Sequence, residues 1–209
     1  MSFDLWLAFV AASTVLLLIP GPTVLLVLSY ALSKGRSVAL ASAAGVALGD
    51  LTAMTASLAG LGALVLASAA LFSVLKWVGA GYLLWMGWTL LRSAPSSGMQ
   101  AMARQSDITA HGVFGHAAAV TALNPKSIAF FIAFVPQFLR PDLPLVPQFA
   151  VLIATFVGLA ALNALAYALL ADRLRAWIGR PRVITGLTRT GGLTLMGMGL
   201  ATAVLRRPV

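Results

Sequence analysis

The stretch Leu18-Ile19-Pro20-Gly21-Pro22-Thr23 interrupts an apolar run that is otherwise unbroken and uncharged from Leu5 to Leu32. That run is long enough to cross a bilayer as one helix. Two prolines flanking a glycine do not fit inside a regular helix. Each proline lacks an N–H and its ring collides with the carbonyl four residues back, while the glycine adds backbone freedom. Hydrocarbon leaves no partner for freed backbone groups, so a break at membrane depth survives only where protein or a water-filled cavity covers it. Two readings stand side by side: a proline kink used for packing, or a broken span that lines a substrate site.

Composition sets the class. The 209 residues are 60% hydrophobic and only 9% charged, against about 25% charged in a soluble domain. The chain is therefore read as an integral membrane protein. It contains no cysteine, which excludes disulfides and cysteine-based metal or redox chemistry. Fourteen Lys and Arg face five acidic residues for a net charge of +9. The bases sit in loops, so topology explains them better than a nucleic-acid partner does. The first apolar run has no basic segment ahead of it and no small-residue cleavage site, so it reads as a retained span.

About 20 apolar residues per crossing divides the chain into six spans: Leu5 to Leu32, Val38 to about Ala63, Leu71 to Leu91, Gly112 to Phe138, Val146 to Ala171, and a last one after the basic stretch Asp172 to Arg189, ending at Arg206-Arg207. Ser93 to Thr109 is the clearly polar linker. The turn between the second and third spans rests only on Gly60, Gly62 and Ser68. Loops after the first, third and fifth spans carry nine bases, namely Lys34, Arg36, Arg92, Arg104, Arg173, Arg175, Arg180, Arg182 and Arg189. The other side has Arg140, Arg206 and Arg207. This asymmetry puts those loops in the cytoplasm and both termini outside. Five or seven spans with an inner N-terminus is the rival arrangement.

The two halves resemble each other. Gly45-Val-Ala-Leu-Gly49-Asp50 has a counterpart in Gly158-Leu-Ala-Ala-Leu-Asn163, and Gly79 and Gly87 are spaced like Gly191 and Gly199. The Pro20-Gly21-Pro22 break has a mate in Asn124-Pro125-Lys126. Three spans per copy is an odd number, so the copies must face opposite ways. The expected fold is thus all-α: six transmembrane helices as two inverted three-helix repeats with broken first helices. Residues 1–209 form a single transporter domain, with repeat 1 at about 1–92, the linker at 93–111 and repeat 2 at about 112–207.

These motifs resemble a known family. Ile19-Pro20-Gly21-Pro22, Gly45-x-x-x-Gly49-Asp50 and Gly79-x-Gly81-Tyr82-Leu83-x-x-x-Gly87 look like the first half of the LysE/RhtB amino-acid exporters. Phe114, Leu123-Asn124-Pro125-Lys126, Phe130-Phe131 and Pro136-Gln137-Phe138 look like the second. The resemblance covers nearly the whole chain. It implies a carrier in the bacterial cytoplasmic (inner) membrane that exports amino acids or related zwitterions, using the proton gradient. It does not imply which amino acid.

The residues can also be weighed one by one. Asp50 lies near the middle of its span, where a carboxylate costs at least about 2.5–3.5 kcal/mol. It is expected to bind the substrate ammonium, or a proton exchanged for it; the alternative is a partner for a freed backbone group. Lys126, just past the second break, would meet the substrate carboxylate or neutralise Asp50, unless its long side chain reaches the interface. The breaks leave helix ends that suit the two charges of a zwitterion. Pro20, Gly21, Pro22, Asn124, Pro125 and Asn163 complete the expected binding set. Gly45 and Gly49 form a small-residue surface for a neighbouring span, or for a homodimer. His111 and His116 read as interfacial residues, and Lys76 as snorkelling outward. No catalytic set, metal cluster, cofactor motif or nucleotide-binding loop is visible, so an enzyme is not expected. A channel or uniporter for a small polar solute is the alternative to a proton-coupled exporter.

Overall fold

The structure, a computed structural model, describes residues 1–19, 21–34, 36–67, 69–92, 109–140, 143–171 and 181–204. Pro20, Ser68, Gln105 and the rest of the linker to residue 108, the bases at 173, 175, 180, 206 and 207, and Trp177 lie outside the described residues. So do the side chains of Lys34, Arg36 and Lys76.

Every regular element among the described residues is helical: α1 (Phe3–Leu18), α2 (Pro22–Lys34), α3 (Arg36–Ala67), α4 (Ala69–Arg92), α5 (Ala110–Ala122), α6 (Pro125–Ala129), α7 (Leu145–Leu169) and α8 (Pro181–Val204). A π-helical turn, Phe130–Phe134, and a 3-10 turn, Val135–Phe138, follow α6 directly.

Both breaks are built the same way. Ile19, before Pro20, adopts φ −68°, ψ 117°, and Asn124, before Pro125, adopts φ −69°, ψ 110°. The proline ring excludes the helical region for the residue that precedes it. Helix then resumes on a proline, Pro22 in α2 and Pro125 in α6, where the missing N–H would have had no partner anyway. The segments Phe3–Leu18 and Pro22–Ala31 meet at 60°.

Among the described residues, Val38–Ala63, Ala110–Phe138 and Leu145–Leu169 are each long and apolar enough to cross a membrane, and the bent pair α1–α2 adds a fourth span if counted as one. Six were expected from the sequence. α4 and α8 also run 24 residues each; side chains inside α4, Lys76 among them, lie outside the described residues, and a Gly/Thr-rich stretch lowers the apolar character of α8. The basic stretch expected as a loop up to Arg189 is helical from Pro181 onward. A proline at the first position starts that helix readily.

α3 packs along α5 and α7, and α4 along α8. Glycines let the backbones approach. A Cβ at Gly49 would lie 2.6 Å from the Ala118 carbonyl, and one at Gly45 would strike the Phe114 carbonyl. Gly45 and Gly49 thus seat α3 on α5. An aromatic cluster fills the space beside the second break: Phe131 meets Phe156 at 4.8 Å between centroids, and Phe9 meets Phe138 at 5.3 Å. Trp6 Nε1 ties α1 to α7 by donating to Thr155 Oγ1 at 3.0 Å.

Candidate functional site

The last carbonyls of a helix lack partners within it. At the end of α1 they find them in the second half of the chain. Lys126 Nζ donates to the Leu16 carbonyl at 3.1 Å and to the Ile19 carbonyl at 3.0 Å. Asn163 Nδ2 donates to the Leu17 carbonyl at 3.1 Å, and the Tyr167 hydroxyl to the Leu18 carbonyl at 3.3 Å. Asn163 and Tyr167 stand four apart on α7 and so share a face. The negative end of the α1 dipole is where a buried cation is best placed.

The second break is tied back to the first. Asn124 caps α6, its Oδ1 accepting from the Lys126 backbone N–H at 3.0 Å, while its Nδ2 donates to Thr23 Oγ1 at 3.2 Å. Thr23 Oγ1 also lies 3.4 Å from Thr121 Oγ1, at the end of α5. Thr23 and Lys126 each follow the proline that restarts a helix. Each reaches across to the other break.

Between the breaks lies a cavity of about 30 Å³, lined by residues that include Gly21, Thr23, Asp50, Asn124, Lys126 and Asn163. Its apolar wall is Leu16, Val24, Val27, Val46, Ala160 and Ala164. Asp50 is 2% exposed, and its Oδ1 has no hydrogen-bond partner. A buried polar atom without a partner costs about 1–3 kcal/mol, so it marks a place where something else can bind. Among the lining residues Asp50 is the one carboxylate and Lys126 the one ammonium. The volume admits one or two waters. Ligand pockets run to about 300–1,000 Å³. This is a small chamber.

Gly21, Asp50, Asn124, Lys126 and Asn163, expected from the sequence to share a site, all line this cavity. Pro22 and Pro125 begin the helices beside it, and Pro20 lies outside the described residues. Gly158 does not repeat what Gly45 does: a Cβ there would meet nothing within 4 Å, whereas Gly45 abuts α5. Thr23, Thr121 and Tyr167 were missed. The signal for Tyr167 was its spacing of one helical turn from Asn163. His111 is exposed. His116, read as an interfacial residue, accepts or donates a 2.7 Å hydrogen bond through Nδ1 with the hydroxyl of buried Tyr30, joining α5 to α2.

The helices on either side of the two breaks are thus tied to each other around a chamber whose lining residues include one acid and one ammonium. The comparisons with known proteins are specific. The family model described as LysE type translocator matches residues 14–205, and the chain belongs to that family. It is 33% identical over 206 residues, 99% of each chain, to the homoserine/homoserine lactone efflux protein of Salmonella typhimurium. It is 32% identical over 207 residues to an uncharacterized membrane protein of Vibrio cholerae, covering 99% of this chain and 100% of the relative. A leucine efflux protein of Klebsiella pneumoniae is 30% identical over 137 residues, 64% of this chain and 63% of its own. No solved structure matches significantly.

Proposed function

We propose that this protein is a proton-coupled secondary exporter of a small neutral amino acid, acting across the bacterial cytoplasmic membrane. The observation that carries the proposal is the small chamber between the breaks, lined by Asp50, whose buried Oδ1 has no hydrogen-bond partner. Asp50 carries the proton exchanged for substrate. The Val24, Val27, Val46, Ala160 and Ala164 wall suits a short aliphatic or hydroxylated side chain. A lysine or arginine substrate would bring a second cation with no second acid among the lining residues to receive it. Relatives named for homoserine and leucine efflux support a neutral substrate. A chamber of about 30 Å³ argues against an open channel.

The arrangement proposed is six spans in two inverted repeats, with α1 and α2 as one span and α5 through Phe138 as another. Both termini face outward, by the distribution of bases. Reciprocal packing supports the repeat. A Cβ at Gly87 would meet the Gly192 carbonyl and Met196, and one at Gly199 would meet the Ala80 carbonyl and Leu84. The shift that carries Gly87 to Gly199 also carries Ala80 to Gly192 and Leu84 to Met196.

Cells expressing the protein and loaded with single amino acids test the reading. Leucine and homoserine are expected to leave faster than from cells lacking the protein, and lysine, arginine and aspartate at unchanged rates. No accelerated export of any neutral amino acid, or equal export of arginine, would refute it.

A further inference from the structure

We propose that the carbonyl end of α1 is an ammonium-binding site, and that the Lys126 ε-ammonium occupies it in this closed state as a tethered stand-in for the α-ammonium of the transported amino acid. This rests on the exporter reading and adds to it the place where the substrate's cation goes.

The geometry is that of a bound primary ammonium. Nζ has three N–H donors, and two are spent on the Leu16 and Ile19 carbonyls at 3.1 and 3.0 Å. The α-ammonium of an amino acid has the same charge, the same three donors and the same compact shape. Leu16 lines the chamber, and a Cβ at Gly21 would lie 3.4 Å from Nζ, so a glycine leaves the approach to this ammonium free of side chain. The neighbouring carbonyls of Leu17 and Leu18 are held by Asn163 and Tyr167. The pair under Lys126 is therefore the part of the α1 terminus whose occupant is an ammonium on a flexible four-carbon stem.

A displaced lysine has a destination. Asp50 lines the same chamber, and its buried Oδ1 has no partner. Ionised Asp50 draws Lys126 off the carbonyls and opens them to substrate; protonated Asp50 exerts no such pull, and Lys126 returns. Lys126 is also a tie between the two breaks, so its exchange for a free ammonium leaves the contacts of Thr23 with Asn124 and Thr121 to hold them together. Substrate binding thereby loosens the closure.

The test uses purified full-length protein in proteoliposomes, with Lys126→Ala and, because it keeps the apolar stem, Lys126→Met. Leucine export is expected to fall by at least about tenfold, because no tethered cation returns to displace the substrate's ammonium, and the charged hydrogen bonds such a cation supplies are each worth that factor or more. Ethylammonium in the buffer is expected to restore a measurable part of it in Lys126→Ala. Tetramethylammonium, which has no N–H, is expected not to. In the Asp50→Asn, Lys126→Ala double variant, ethylammonium is still expected to raise the unfolding temperature, since its ligands are carbonyls. Unchanged export in both single variants, equal rescue by tetramethylammonium, or no stabilisation of the double variant would overturn the proposal and leave Lys126 as a counter-charge to Asp50. Absence of leucine and homoserine export by the unmodified protein would instead sink the exporter reading.

Discussion

Replacing Gly49 by alanine places one methyl group where two helices already touch. The added Cβ lies 2.6 Å from the Ala118 carbonyl, 2.7 Å from Thr121 Cβ and 3.0 Å from the Ala122 nitrogen. Carbon atoms settle at about 3.5–4.0 Å, so α3 and α5 must part locally by about 0.8 Å or more. Two of the three obstacles are backbone, which has no rotamer to yield. Overpacking of this kind costs about 1–3 kcal/mol. The displacement falls beside Asp50 and Thr121, so it also spreads the chamber. Gly158→Ala is the matched control: its Cβ meets nothing within 4 Å, and removing an interior helical glycine gains about 0.5–1 kcal/mol. Unfolding of the detergent-solubilised protein, followed by intrinsic fluorescence or by retention of monodisperse protein after heating, reads both. Gly49→Ala is expected to melt below the unmodified protein, and Gly158→Ala at or above it. Equal behaviour of the two variants would refute the claim that Gly49 holds α3 on α5.

Asp50→Asn keeps the shape of the side chain but cannot exchange a proton, so export is expected to lose its dependence on pH; a pH profile parallel to that of the unmodified protein would remove Asp50 from the coupling role. Asn163→Leu leaves the Leu17 carbonyl without its donor, which is expected to cost about 1–3 kcal/mol of stability and to slow leucine export in vesicles. Tyr30→Phe removes the 2.7 Å contact to His116 and is expected to lower stability by about 0.5–1.5 kcal/mol, read by the same melting assay; no change would mean that the pair does not hold α2 to α5.

What could be read from the sequence was what local chemistry decides. Proline geometry predicts where α1 and α5 end, and they end at Leu18 and Ala122, just ahead of Pro20 and Pro125. A lone carboxylate in an apolar span announces itself, and Asp50 indeed lines the chamber. The partners were hidden, because they depend on how close segments distant in the chain come to lie. Lys126 was legible as a cation at a break, but nothing local says that its ligands are carbonyls more than a hundred residues earlier. Tyr167 looks like any interfacial tyrosine until α1 ends beside it. The π-helical turn at Phe130–Phe134 gives no sign in a run of aromatic and small residues, since packing against Phe156 and around Gly79 imposes it. Gly158 shows the opposite failure: it matches Gly45 in sequence spacing but makes no matching contact.

On the proposed mechanism, substrate passes through the chamber between the two breaks. The chain has no cysteine, so Ala160→Cys introduces a single thiol on the chamber wall, at a position buried in the closed state. Rates of thiol labelling by a small methanethiosulfonate, measured in vesicles with and without leucine or homoserine, test the claim directly. Labelling is expected to abolish export and to be slowed by substrate, while the same reagent at Gly158→Cys, which faces open space, leaves export intact. An Ala160→Cys protein that exports normally after complete labelling, or whose labelling ignores every neutral amino acid it transports, would contradict it.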